Sequence, residues 1–349
     1  MYYIYIKRKV VFLKMNNKAE IINWNGMPCI QLTAGGYTAL IANEIGSNVI
    51  RLHDDKNGIE FFRYNPDNTP DTIKNSAEVW GLPTLYLPNR FADGVLKTSD
   101  AVYQLPVNEK APFNNHIHGF LHKRCHKITE LTSNMDAAWA RTSYEYDESD
   151  PFFESLPIKF RADFMFVLSE NGLEYTVSFT NLSDKMMPVS LATHTTINSP
   201  FVDGAKEEDC RIAVPATEKW VLNERCLPTG EILPLNDYDK SYANGTMCPV
   251  LKDISNDMYS GTKQNLHDSP FRGVVMTDVA SGKGIGYEVS SDYKFWIIWN
   301  DRGNNHYFCP EPMTAMIDAP NMDMPFEKTG YQEIAPNQIF TASQHFFSI

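Results

Sequence analysis

An all-β fold is predicted for this chain of 349 residues, and three observations predict it. Apolar and polar residues alternate with period two along many segments. Tight-turn residues punctuate those segments at short intervals. The 3.6-residue periodicity of an amphipathic helix is hard to find anywhere. Such a pattern suits two large packed sheets or a sandwich.

In chain order, Asn57-Gly58 is the first hairpin signal, set between the apolar segments Val49–Leu52 and Ile59–Phe62. Residues 64–89 carry Pro66, Pro70, Pro83 and Pro88 and are read as a long surface loop. Phe160–Leu168 leads through Glu170-Asn171-Gly172 into a strand. That strand sets Leu173, Tyr175, Val177 and Phe179 on one face and Glu174, Thr176 and Ser178 on the other. A further strand begins near Met187 and ends at His194. Gly282-Lys283-Gly284 precedes Ile285–Val289 and the aromatic strand Phe295–Trp299. No charge run or composition shift marks a boundary, so residues 15–349 are read as one domain. Residues 1–14, MYYIYIKRKVVFLK, are split by Lys7-Arg8-Lys9 and lack a small-residue cleavage site, which fails as a signal peptide. They are read as an N-terminal extension, either an added strand or the product of an upstream start codon.

Composition excludes several classes. A hydrophobic content of 43% supports a sizeable core, and a net charge of −12 argues against nucleic acid and anionic membranes as partners. Six cysteines stand at 29, 125, 210, 226, 248 and 309 without a CxxC spacing, so neither a zinc ribbon nor a redox pair is indicated. Unpatterned cysteines in a long chain suit a reduced protein, and a cytoplasmic location is expected. No run of about eighteen apolar residues offers a transmembrane helix.

One stretch, NNHIHGFLHKRCH at 114–126, gathers His116, His118, His122 and His126 within eleven positions. On a strand, His116 and His118 share a face. On a helix, His118, His122 and His126 would form a stripe, but Gly119 and the β-type surroundings disfavour one. A metal-holding cupin-like barrel would place a Glu a few residues after His-x-His. The next acidic residue here is Glu130, so no metal and no cofactor are assigned. The other reading is acid/base chemistry, because an imidazole paired with a carboxylate passes a proton in either direction near neutrality. Two distant candidates fit: His194 in SLATHTTINSPF and Glu311 in FCPEPMTAMIDAPN.

Five segments in order resemble the aldose 1-epimerase (galactose mutarotase) family: LPNRFADG at 87–94, NHIHG at 115–119, HTTIN at 194–198, CLPTGEILPL at 226–235, and PEPMT with DAPN between 310 and 321. The resemblance runs from about residue 25 to the end. It implies a β-supersandwich of large, twisted antiparallel sheets and a small-molecule sugar as partner. It also implies interconversion of the α and β anomers of a free aldose, without cofactor or metal. By position, Glu311 resembles the base at the C1 hydroxyl and His194 the acid at the ring oxygen O5. His118 resembles a third catalytic group that also contacts substrate near O5. Asn89 and Arg90 resemble sugar contacts, and the planar donor fork of arginine suits vicinal hydroxyls. Asp257, in NDMY, matches a family Asp that accepts from hydroxyls, and His116 is expected to support the site from the strand face of His118.

The chain departs from the family at Thr195, Thr196 and Ile197, where members often carry aromatics. Phe120 replaces a second glycine, and Ser290 falls where a family Gln contacts the sugar. These changes are expected around the substrate. A sugar-6-phosphate 1-epimerase on the same fold would need extra cations at the site mouth, where Arg90 and the Lys123-Arg124 pair are visible. A non-catalytic carbohydrate-binding module should have lost a proton carrier, whereas all three candidates remain. The sequence leaves the preferred sugar and the oligomeric state open.

Overall fold

The computed structural model describes residues 17–261, 264–266, 269–303 and 306–349. The extension at residues 1–14 lies outside the described residues. The hairpin signals act where alternation placed them. Phe160–Ser169 and Gly172–Asn181 pair in antiparallel register from Phe160↔Asn181 to Ser169↔Gly172. Asn48–Asp54 pairs with Ile59–Glu60 across Asn57-Gly58, and Gly273–Asp278 pairs with Gly284–Val289 across the 282–284 turn.

Antiparallel sheets dominate. A five-stranded meander runs from Lys18–Trp24 to Ile59–Glu60. One large sheet orders its strands Lys127–Ser133, Ala137–Tyr146, Phe160–Ser169, Gly172–Asn181, Ile339–Ser348, Gly284–Val289, Gly273–Asp278 and Cys210–Ala213. The other orders Pro228–Leu233, Glu218–Leu222, Asp257–Ser260, Phe295–Trp299, Tyr307–Met313, Ala192–Thr193 and Thr84–Leu85, with Ile197–Asn198 also pairing to Tyr307–Met313. Among the described residues no helix is long and apolar enough to cross a membrane.

Period-two alternation gives this second sheet two unlike faces. Trp296, Ile298 and Tyr259 enter the main core, which joins all three sheets. Ile297, Met258, Trp220, Phe295 and Met313 line the opposite face with a separate apolar cluster. Register places Glu311 on that second face, in one row with Ile297, Met258 and Trp220.

Two expectations are corrected. Residues 64–89 are not a surface loop throughout: Pro70–Asn75 is helical with Thr69 as its N-cap, and every residue from 81 to 91 is buried. The prolines there shape a buried connection instead of an exposed one. The strand expected from Met187 to His194 is broken in two. Met187–Pro188 pairs with Glu333–Ile334, and Ala192–Thr193 joins the sheet that carries Glu311.

Candidate active site

Glu311 lies inside Tyr307–Met313, every residue of which is buried. Ala192–Thr193 pairs with the same strand at Met313 and delivers His194, whose backbone N–H donates to the Pro83 carbonyl at 3.0 Å. His194 Nε2 is 3.4 Å from Glu311 Oε1, and both side chains are less than a tenth exposed. His118 packs its ring edge-on to His194 at 5.4 Å between centroids, and Trp299 does so from another side at 5.5 Å.

Backbone conformation delivers the remaining groups. Asn89, His118, Cys226 and Asn256 are non-glycine residues with φ between 51° and 65°, a left-handed region that such residues seldom occupy. The Arg90–Ala92 and Asn115–Ile117 strands pair antiparallel, and His118 follows directly with its N–H on the Asn89 carbonyl at 2.9 Å. Gly119 then bridges to Tyr86, so close that a Cβ would stand 2.1 Å from the Tyr86 carbonyl oxygen. The Asp318 N–H donates to the Arg90 carbonyl at 3.0 Å, and its carboxylate accepts the Ala92 N–H at 3.1 Å. The Asp-Ala-x-Asn close of the sequence thus pins the arginine strand.

Arg90 Nε is 3.0 Å from both oxygens of Glu109, and Nη2 is 2.9 Å from Oε1. Among the described residues its Nη1 makes only long contacts, 3.4 Å to Asn89 Oδ1 and 3.5 Å to Asn256 Oδ1. Burial sets the electrostatics. It pushes the Glu311 carboxyl up to about 8 against the pull of Arg90, and the His194 imidazole down to about 4 against the field of Glu78. Burial also holds His118 well below the ordinary histidine value, with His194 adding to the effect. At neutral pH the pair therefore carries one proton, on Glu311, with His194 neutral. Among the described residues no group of three or more His, Cys, Asp or Glu could hold a metal ion.

Glu311, His194, His118, Arg90 and Asn89 converge; Asp257 and His116 do not. The Asp257 carboxylate accepts from Tyr238 at 2.7 Å and Tyr242 at 3.3 Å and lies 3.8 Å from Lys219 Nζ. Asp257 pairs with Ile298, one register row away from Glu311, and therefore faces the other side of the sheet. Its neighbour Asn256 turns toward Arg90 in its place. His116 is also corrected: the strand ends at Ile117 and His118 has φ 65°, so the shared-face rule does not reach across the pair. The His116 ring packs between Phe91 and Phe152, with Nδ1 2.7 Å from the Pro106 carbonyl oxygen. His122 and His126 are buried and partnered, by Glu78 at 3.0 Å and Ser47 at 2.9 Å.

The departures from the family pattern stand away from the site. Phe120 stacks on Phe152 in the core, while Thr195 and Thr196 bond to Tyr287 and the Gly81 carbonyl. Ile197 is in the main core, and Ser290 pairs with Ser343 on the other large sheet. Sequence reasoning missed Trp299, Glu109, Asn256 and Cys226 as neighbours of the site. For Trp299 a signal existed: its register partner is Cys309, two residues before Glu311 and on the same face.

Comparison with known proteins gives a coherent set. The family model for aldose 1-epimerase matches residues 28–346. A galactose mutarotase-like protein from Clostridium acetobutylicum superposes with a TM-score of 0.92 at 31% identity, covering 96% of this chain and 99% of that one. A galactose 1-epimerase from Lactobacillus acidophilus aligns with a TM-score of 0.71 at 14% identity over 96% and 99% of the chains. A putative aldose 1-epimerase from Escherichia coli K12 gives 0.70 at 16% identity over 95% and 99%. The latter two likenesses concern the fold alone.

Proposed function

The chain belongs to the aldose 1-epimerase family, and we propose that it interconverts the α and β anomers of a free hexose by acid/base ring opening and closure. The observation that carries this reading is the buried Glu311–His194 pair, 3.4 Å apart. In a pyranose the C1 hydroxyl oxygen and the ring oxygen are bonded to the same carbon. Two proton carriers that serve them must stand side by side, as these do.

In the proposed cycle Glu311, as carboxylate, takes the C1 hydroxyl proton while His194, as imidazolium, gives its proton to O5. The C1–O5 bond breaks with its electron pair on O5, leaving a carbonyl at C1. Rotation about C1–C2 turns the other carbonyl face toward the C5 hydroxyl. That hydroxyl returns its proton to His194 as it attacks C1, and Glu311 returns the first proton to the carbonyl oxygen. The reactive protonation state differs from the resting one by a single proton transfer within the pair. In this reading His118 hydrogen-bonds beside O5, Asn89 and Arg90 bind hydroxyls, and Trp299 offers an apolar wall to the sugar.

Charge pairing favours a free sugar over a sugar phosphate. Arg90 is matched by Glu109, Lys123 by Glu78 at 2.6 Å, and Arg124 by Asp150 at 2.8 Å through Nη2. Six unpaired cysteines fit a reducing compartment, and the cytoplasm is the proposed location.

Polarimetry of freshly dissolved α-glucose and α-galactose tests the reading. The protein is expected to hasten the approach to equilibrium in the presence of EDTA. Glu311→Gln and His194→Asn are each expected to lower kcat/KM by roughly 10²–10⁴-fold. Absence of acceleration with any common aldose would favour the binding module, and loss of activity in EDTA would favour a metal mechanism.

A further inference from the structure

Glu109 has no role in the proton transfers, yet among the described residues it makes the most extensive side-chain contact with Arg90. The two side chains are about a tenth exposed, and three short contacts join them along the Nε–Nη2 edge. Glu109 is itself fixed. Asn115 Nδ2 donates to it at 3.0 Å, and the N–H groups of Asn108 and Glu109 both donate to the Asn115 carbonyl. Arg225 bonds Asn115 Oδ1 at 3.0 Å and reaches Asp93 at 2.8 Å, tying this loop to the turn that carries Cys226. A bidentate carboxylate fixes both the plane and the rotation of a guanidinium. What remains is Nη1, whose two contacts are at the outer limit of hydrogen bonding.

We propose that Glu109 is a positioning residue of this site, which aims the loosely held Nη1 edge of Arg90 at a sugar hydroxyl and offsets the guanidinium charge beside Glu311 and His194. The proposal rests on the sugar-site reading above. Its first half predicts a binding effect, because an unclamped arginine must be ordered by the substrate itself. Its second half predicts a pH effect. Arg90 lowers the proton affinity of Glu311, His194 and His118. Without the Glu109 charge that pull grows, so both pH limbs of the reaction move toward acid. The other groups that face the pair stay in place: Glu78 and His122 near the histidines, Cys226 near Arg90, and Cys309 beside Glu311 with Arg63 and Asp301 behind it.

The test compares wild type, Glu109→Gln and Glu109→Asp. Polarimetry across pH gives kcat, KM and the limbs, and ligand-observed NMR with D-galactose and D-glucose gives Kd. Glu109→Gln is expected to raise KM and Kd about tenfold, with a smaller change in kcat. It should also displace both limbs toward acid by roughly 0.5 in pH. Glu109→Asp, which keeps the charge on a shorter stem, should restore the limbs while KM stays raised. Unchanged KM, Kd and limbs in Glu109→Gln would overturn the proposal. Should that variant fail to fold, a wild-type KM in Glu109→Asp would overturn it equally. A wild-type protein that binds sugar without hastening mutarotation would sink the catalytic reading, and the Kd comparison would still judge Glu109. Wild type that does neither overturns both.

Discussion

Glu311 and His194 are buried together, and burial moves their proton affinities in opposite directions because each resists its own charged form. With Glu311 pushed up to about 8 and His194 down to about 4, the pair holds one proton throughout the interval between. Only that singly protonated pair owns both a donor and an acceptor. Below the lower limb both groups are protonated and no base remains; above the upper limb both have lost protons and no acid remains. The expected kcat/KM profile for α-galactose is therefore a bell with limbs near 4 and 8, belonging to the pair and not to either residue alone. A rate that rises through pH 9 would contradict this arrangement. The two proposed carriers could be nominated from sequence because each sits within a distinctive phrase. The faces of Asp257 and His116 were not legible. Asp257 obeys the alternation of its own strand, but its face relative to Glu311 is set by pairing with Phe295–Trp299, a segment distant in sequence. His116 precedes the left-handed His118, where strand alternation ends.

At the scale of the element, the connection from Gly81 to Phe91 and the turn at Ile117–Phe120 are packed backbone to backbone. Phe120 N–H donates to the Tyr86 carbonyl at 3.2 Å, and Gly119 occupies φ 60° with no room for a side chain. Gly119→Ala would drive a Cβ into Tyr86 and Leu87 backbone atoms that no rotamer change can clear. The expected cost is about 3 kcal/mol in denaturant unfolding, with the proposed mutarotase activity falling because His118 is the adjacent residue. Unaltered stability and activity would show that this approach tolerates a shift. The hairpins at 57–58, 170–172 and 282–284 were readable because a two-residue turn and its flanking alternation are local properties. The burial of residues 81–91 was not readable. Prolines mark a break in regular pairing, but what covers the break lies elsewhere in the chain.

For the whole molecule, the main core draws on strands from Met27–Ala34 to Ile339–Ser348. The last strand inserts between Gly172–Asn181 and Gly284–Val289 and sets Phe346 against Phe62 of the N-terminal half, 5.1 Å between ring centroids. A core shared in this way is expected to unfold as one unit. Scanning calorimetry should give one transition with matching calorimetric and van't Hoff enthalpies, and two resolved transitions would divide the chain. The sequence by itself determined the strand class and the main turns, and it nominated Glu311, His194, His118, Arg90 and Asn89 as site candidates, because alternation, turn chemistry and short motifs are encoded locally. Only the tertiary structure decided that these residues meet, that Asn256 replaces Asp257 beside Arg90, and that Glu109 clamps that arginine. Those outcomes depend on which strands pair and in what register, and a shift of one residue exchanges the two faces of a sheet.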